Sequence, residues 1–95
     1  MTILDAPADP LTVLDFVDEQ VRALQAEGAE PRTVLVGPEA YDALIDAVAA
    51  RFGRQRARVE QYQWLSVVVD PFRGDRVCVL PTARDLADGV RTETL

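Results

Sequence analysis

The sequence predicts a small α+β domain in which two helices pack on one face of a small mixed sheet, in the order helix, strand, helix, strand, strand, short helix. Two segments show apolar residues at helical spacing, β-branched runs of strand length separate them, and Gly or Pro stands at most boundaries. With 95 residues, 48% of them hydrophobic and 27% charged, the chain fits one globular domain with a modest core. We place that domain at residues 9–89, between a flexible N-terminal arm at 1–8 and a frayed tail at 90–95.

The first helix is predicted in "DPLTVLDFVDEQVRALQAEG", residues 9–28. Asp9 is a suitable N-cap, Pro10 suits the first helical position, and Gly28 marks the end. One helical stripe holds Leu14, Val17, Val21 and Leu24, with Leu11 and Val13 beside it. The next segment, "RTVLVG" at 32–37, is short and β-branched, which favours a buried strand.

The second helix is predicted in "GPEAYDALIDAVAARFG", residues 37–53. Gly37 serves as the cap, Pro38 as the first helical residue and Gly53 as the terminator. Helical spacing relates Tyr41, Leu44, Ile45, Val48 and Phe52. A crossover through this helix should be right-handed and should leave its two flanking strands parallel where they are neighbours.

Two further strands and a short helix are predicted in the remainder. "VEQYQWLSVVVD" at 59–70 alternates as a strand that is bent or bulged near Gln63 to Leu65. "RVCVLP" at 76–81 reads as the last strand, paired antiparallel with the previous one. Thr82 stands three residues before Asp85, a pattern typical of a capped helix start.

The segment "DPFRGDR", residues 70–76, joins the last two predicted strands. It is rich in turn-forming residues, so it is interpreted as the tip of a hairpin. The Arg-Gly-Asp tripeptide within it would be a cell-adhesion ligand only on an extracellular protein, which we do not expect. Phe72 stands close to Arg73 and Arg76, and an aromatic residue beside arginines is typical of an interface anchor. The alternative is that Phe72 folds back onto the end of the sheet.

The segment "RFGRQRAR", residues 51–58, is the one local exception to an acidic composition. Its guanidinium groups could bind phosphate or an acidic neighbour, and we count Arg54, Arg56 and Arg58 with Phe72, Arg73 and Arg76 as candidate protein-interface residues. The other interpretation is that Arg51 complements the helix dipole while the rest are solvated. Aromatic stacking platforms are not interleaved with this segment, although Tyr62 and Trp64 follow closely, and this disfavours binding of single-stranded nucleic acid.

Composition excludes most catalytic chemistry. The chain has no His and no Lys, so it lacks an imidazole base, a Schiff-base lysine and a P-loop, and Ser66 is its only serine. Two sets of helical carboxylates could coordinate a hard cation: Asp15, Asp18 and Glu19, and Asp42 with Asp46. We interpret both sets as solvated helix faces and expect no catalytic residue, metal or cofactor. Cys78 has no partner for an intramolecular disulfide and should be buried in a strand.

Charge and hydropathy bear on partners and location. A net charge of -6 and a pI near 4.4 disfavour duplex nucleic acid or an anionic membrane as the main partner. All ten basic residues are Arg, a bias that fits either a GC-rich genome or a salt-loving organism. The N-terminus lacks signal-peptide features and no long apolar run occurs, so a soluble protein made in the cytoplasm is expected.

Residues 33–81 resemble a known pattern of strand, "P-x-x-Y-x-x-L" helix, "VVVDP" strand, loop and strand. This pattern is similar to small virion-associated proteins of tailed phages and archaeal tailed viruses, and to a segment of the tailed-phage capsid fold. The resemblance implies a non-enzymatic structural or assembly role in a virion, with copies of itself or other virion proteins as partners. The alternative is a small acidic regulator that binds a host protein, for instance by imitating the charge of nucleic acid.

Overall fold

The computed structural model describes all 95 residues and contains three helices and one mixed six-stranded sheet. In chain order the elements are β1 (Thr2–Pro7), α1 (Val13–Ala26), β2 (Pro31–Val36), α2 (Pro38–Phe52), β3 (Gln61–Tyr62), β4 (Leu65–Val69), β5 (Arg76–Pro81), α3 (Ala83–Ala87) and β6 (Arg91–Thr94). Across the sheet the order is β3-β4-β2-β5-β1-β6. The predicted α+β class, with helices packed against the sheet, is confirmed.

The sheet mixes parallel and antiparallel pairs around β2. This strand runs parallel to β4 and antiparallel to β5, so Leu35 lies opposite both Val68 and Cys78. The predicted parallel pairing of the strands that flank α2 is therefore confirmed for β2 and β4. The predicted hairpin between β4 and β5 is wrong, because β2 lies between them and their connection crosses its end. The outer strands pair as β3 with β4, β5 with β1, and β1 with β6.

The core lies between the helices and one face of the sheet. Strands β2 and β5 direct Val34, Val36, Val77 and Val79 into it. The predicted stripe of α1 is buried, and α2 contributes Ala40, Leu44, Ala47 and Val48. Small alanine side chains allow α2 to approach the sheet closely. Leu11 does not join the stripe, because it is 89% exposed in the turn before α1.

The two long helices differ in how well their starts were predicted. The start of α2 matches, with Gly37 as N-cap, and Gly53 ends the helix in the left-handed conformation at φ 61°. In contrast, α1 begins three residues after the predicted Pro10. Asp9 closes a turn there instead: its Oδ1 accepts a 2.8 Å hydrogen bond from the N–H of Leu11, and Thr12 is the N-cap.

The predicted arm and tail are both strands of the sheet, which corrects the expectation of flexible ends. Strand β1 is held because Ile3 and Ala6 are buried and because it pairs with β5. Strand β6 is held along β1 by main-chain bonds, among them one of 3.0 Å from Arg91 N to the Met1 carbonyl.

The segment predicted as one bent strand is two short antiparallel strands. The chain reverses at Gln63, a non-glycine residue with φ 56°, so that Tyr62 lies opposite Leu65. The predicted start of α3 is confirmed: Thr82 Oγ1 accepts a hydrogen bond of 3.3 Å from the Asp85 N–H.

Candidate protein-interaction surface

The connection between β4 and β5, residues 70–75, is here named the crossover loop. It passes the end of β2, where the Asp70 N–H donates to the Val36 carbonyl at 2.8 Å. On the other side, the N–H of Ala8 donates to the Asp75 carbonyl, also at 2.8 Å. The loop is thus bonded at one end to β2 and at the other to the residue that follows β1, and it is not a free hairpin tip.

The same loop caps the start of α2. The Gly74 carbonyl accepts hydrogen bonds from the N–H groups of Glu39 at 3.1 Å and Ala40 at 3.3 Å, two amides that lack partners within the helix. The Gly37 N–H donates to the Arg76 carbonyl at 3.0 Å. This approach is so close that a Cβ at Gly37 would lie 2.0 Å from the Gly74 oxygen. Glycine at position 37 therefore allows the loop to dock on the helix.

Arg73 anchors the crossover loop through its side chain. Its Nη2 lies 2.7 Å from Asp5 Oδ1, and the two side chains are only 20% and 16% exposed. Arg76 adds a 3.2 Å bond to the Asp5 carbonyl. Arg73 and Arg76, two of the candidate interface residues, therefore both bind β1 through Asp5. Burial raises the pKa of the neighbouring Cys78 thiol, although the charge of Arg73 partly opposes this.

Phe72 is the side chain that the crossover loop presents to solvent. It is 95% exposed, and its N–H donates to Asp70 Oδ1 at 2.9 Å, which fixes the local turn. The sequence left two alternatives for this residue, and the structure shows it projecting outward instead of folding back onto the sheet end. A large apolar side chain thus stands in water on a backbone that four neighbouring segments hold in place.

The outer edge of β4, the strand before the crossover loop, is also uncovered. Strand β3 pairs only with Leu65 and Ser66, so Val68 and Val69 have no strand on this side, and both are more than 40% exposed. A groove of about 420 Å³ runs along this edge, lined by Tyr41, Arg58, Val59, Glu60, Val67, Val68 and Val69. Sequence reasoning missed this edge because nothing in "EQYQWL" showed that the neighbouring strand would be two residues long.

Arg51 does not lie free in solvent beside the other arginines of 51–58. Its guanidinium reaches α1, 2.8 Å from Asp15 Oδ1 and 3.1 Å from Asp18 Oδ2, and it donates to Tyr62 Oη at 2.8 Å. The Tyr62 hydroxyl in turn donates to Asp18 at 2.8 Å. Burial and this hydrogen bond raise the pKa of Tyr62. This network connects α1, α2 and β3.

The remaining arginines of this segment are exposed and have nearby partners in the same chain. Arg56 pairs with Asp46 and lies 3.8 Å from Asp42, and Arg58 lies 3.3 Å from Glu60. Arg54 has no carboxylate partner and stacks on Phe52, with its guanidinium 5.3 Å from the ring centre. None of these three arginines takes part in the bonds that anchor the crossover loop, and Arg54 is the only one of the three that has no carboxylate partner.

The carboxylate sets considered for a cation are engaged by arginine: Asp15 and Asp18 face Arg51, and Asp42 and Asp46 face Arg56. No group of three or more His, Cys, Asp or Glu side chains is arranged to hold a metal ion. None of the three helices has both the length and the apolar character needed to cross a bilayer.

The exposed large apolar side chains of this region are Phe72 on the crossover loop and Val68 and Val69 on β4. Comparison of the chain with profiles of known protein families, with curated proteins and with solved structures gives no significant match to any of them.

Proposed function

We propose that this chain is a non-enzymatic assembly protein that binds a copy of itself or a neighbouring protein through Phe72. The observation that carries the proposal is the 95% exposure of this aromatic side chain on a loop held by hydrogen bonds from several elements. Large aromatic side chains are enriched among the residues that dominate interface energies. The resemblance of residues 33–81 to virion-associated proteins indicates the particle of a tailed virus as the setting.

The fixed backbone under Phe72 favours binding. Burying a phenylalanine side chain contributes about 1.5–3 kcal/mol. Association also costs the entropy of ordering loops and side chains, and a preformed loop reduces that cost. The bonds of Gly74 to α2 and of Arg73 to Asp5 have already ordered this loop in the monomer. Most of the burial energy of Phe72 is therefore available to a partner.

The chemistry of the surroundings indicates an apolar counterpart on the partner. Val68 and Val69 add exposed apolar surface on β4, the strand that leads into the loop, and the groove beside them is lined in part by Tyr41 and Val59. An apolar side chain of the partner that enters the groove would lie against these residues. The Arg58–Glu60 pair at its rim has no net charge, so the groove itself selects against highly charged segments.

Charge imitation of nucleic acid is less well supported than assembly. A mimic needs carboxylates in a continuous unneutralised row, like phosphates. Eight of the sixteen carboxylates of this chain lie within 4 Å of one of its own arginines: Asp5, Asp15, Asp18, Glu30, Asp42, Asp46, Glu60 and Glu93. This internal neutralisation favours a role through apolar contacts.

The experiment compares Phe72→Ala with Leu11→Ala by sedimentation across a wide range of chain concentrations. Leu11 is the matched control, since it is an apolar side chain 89% exposed on a different loop. We expect Phe72→Ala to weaken self-association by about 10- to 100-fold, equivalent to 1–3 kcal/mol, with an unchanged melting temperature. Equal association of the parent and both variants would exclude Phe72 as the anchor. A parent chain that stays monomeric throughout would exclude self-assembly.

A further inference from the structure

Strand β6 ends the sheet at the side opposite to β3, and its outer edge is open. All four residues, 91–94, are exposed, and the strand pairs only with β1. The N–H groups of Arg91 and Leu95 donate to the carbonyls of Met1 and Asp5 on β1. Because successive residues of a strand direct their main-chain groups to alternate sides, Thr92 and Thr94 direct theirs away from the sheet.

This edge lacks most of the features that prevent strands from pairing between molecules. Residues 91–94 contain no proline and no bulge, and the ladder to β1 runs over four consecutive residues without a shift in register. No helix or loop covers their side chains. An uncovered regular edge of this kind is a template for another strand.

The charges on β6 are complementary to themselves. Arg91 and Glu93 lie two residues apart on the same face, with Arg91 Nη2 2.9 Å from Glu93 Oε1. When two copies of β6 pair antiparallel about a two-fold axis at Thr92, Arg91 of each copy lies opposite Glu93 of the other. A register shifted to an axis at Glu93 would instead place two glutamates directly opposite each other, which is unfavourable.

We propose that β6 pairs antiparallel with β6 of a second copy of this chain, about a two-fold axis at Thr92. The two Thr92 residues exchange N–H···O=C hydrogen bonds, since their main-chain groups face outward. Arg91 of each subunit lies opposite Glu93 of the partner subunit, at a position where side chains approach closely. The contact is isologous, so it closes as a dimer with one sheet running through both subunits.

This inference goes beyond the proposed role of Phe72 and does not depend on it. Phe72 belongs to the crossover loop beside β4 and β2, whereas β6 lies at the far edge of the sheet, beyond β5 and β1. A four-residue edge is small compared with stable interfaces, so the dimer is of the weak class, with a dissociation constant on the order of 0.1 mM.

A charge-swap experiment tests the proposal. Arg91→Glu and Glu93→Arg are each compared with the double variant that carries both changes, by sedimentation from about 10 µM to 1 mM chain at low salt. Each single change places like charges opposite each other twice per dimer, so we expect the dissociation constant to rise about tenfold or more. The double variant restores both opposite-charge pairs and should dimerise within about threefold of the parent.

Two controls separate the register from net charge and from folding. Arg22→Glu, at an exposed position of α1, changes the net charge by the same amount as Arg91→Glu, and Glu27→Arg, just after α1, by the same amount as Glu93→Arg. Each control should therefore change the dissociation constant of the dimer only by the small effect of net charge that it shares with its counterpart on β6. Thr92→Pro removes an outward N–H without taking a donor from the β1 ladder, and it should abolish dimerisation with little change in the melting temperature.

Three results would overturn the proposal. These are a parent chain that is monomeric at 1 mM, single variants that dimerise like the parent, and a double variant as weak as either single change. Phe72→Ala should not change the response of the remaining dimer to the charge swaps at β6, so failure of the β6 contact and failure of the Phe72 contact are distinguishable.

Discussion

Replacement of Gly37 by alanine tests whether the crossover loop and α2 are locked together as the structure indicates. The backbone of Gly37, at φ -77° and ψ 172°, is one that any residue can adopt, so the change introduces no local strain. The new Cβ, however, would lie 2.0 Å from the Gly74 oxygen, 2.4 Å from its nitrogen and 2.5 Å from the Arg73 carbonyl carbon. All three atoms belong to the backbone, so the loop must move by about an ångström or more to restore normal contact distances.

The energetic cost follows from the bonds that this movement breaks. The loop and the first residue of β5 make three main-chain hydrogen bonds there, two to the Gly74 carbonyl and one from Gly37 to Arg76, each contributing about 1 kcal/mol. Alanine recovers about 0.5–1 kcal/mol by reducing the entropy of the unfolded chain. The net loss is about 2–2.5 kcal/mol, against a total stability of about 5–14 kcal/mol for a chain of this size.

Thermal and urea unfolding, followed by circular dichroism, measure this loss. We expect Gly37→Ala to lower the melting temperature by roughly 8–20 °C. Gly53→Ala is the matched control: Gly53 has φ +61° and nothing within 4 Å of an added Cβ, so only the left-handed backbone costs about 1 kcal/mol. If Gly37→Ala is no more destabilising than Gly53→Ala, the loop does not lock α2 and the rigid presentation of Phe72 loses its basis.

Two further predictions concern the polar contacts. Arg51→Ala removes hydrogen bonds to α1 and Tyr62 and should lower the free energy of unfolding by about 1–2 kcal/mol. The control Arg54→Ala removes no ion pair and should lower it by less than about 0.5 kcal/mol. Equal losses for the two variants in urea titrations would contradict the bridging role of Arg51. The pKa of Cys78 is raised from 9.0 and that of Tyr62 from 10.0. Both groups therefore lose their protons at a lower pH in the unfolded chain than in the folded chain, and the free energy of unfolding should fall as the pH rises above about 9. Cys78→Ala should flatten this fall in unfolding midpoints measured between about pH 8 and 10, and an unchanged slope would show that other groups cause it.

The elements that the sequence predicts well carry their own boundary signals. Helix α2 illustrates this: Gly37 caps its start and is followed by Pro38, and Gly53 ends it in the left-handed conformation. The strand before it, β2, is apolar and β-branched, which suits its interior position in the sheet between β4 and β5. Local chemistry and tertiary burial agree in these segments, so pattern reasoning succeeds.

The elements that were missed owe their structure to distant partners. Strand β6 buries none of its side chains, so it leaves no hydrophobic pattern to recognise. The insertion of β2 between β4 and β5 is decided by packing across the whole sheet, and the turn-rich "DPFRGDR" would suit either a hairpin or a crossing. Similarly, the exposure of Phe72 agrees with one of its two predicted alternatives, but the ion pair of Arg73 with Asp5 joins residues 68 positions apart.

The pairing of β1 with β6 also constrains the order in which the molecule forms. Thr2 lies opposite Arg91, so β1 acquires this neighbour only after nearly ninety further residues have been synthesised. Closing such a long loop is entropically costly, and it is the kind of contact that slows folding. The edge of β6 therefore exists only on a chain whose earlier strands are already available. Any association through that edge would be restricted to subunits that have completed their fold, and nascent chains would not be captured.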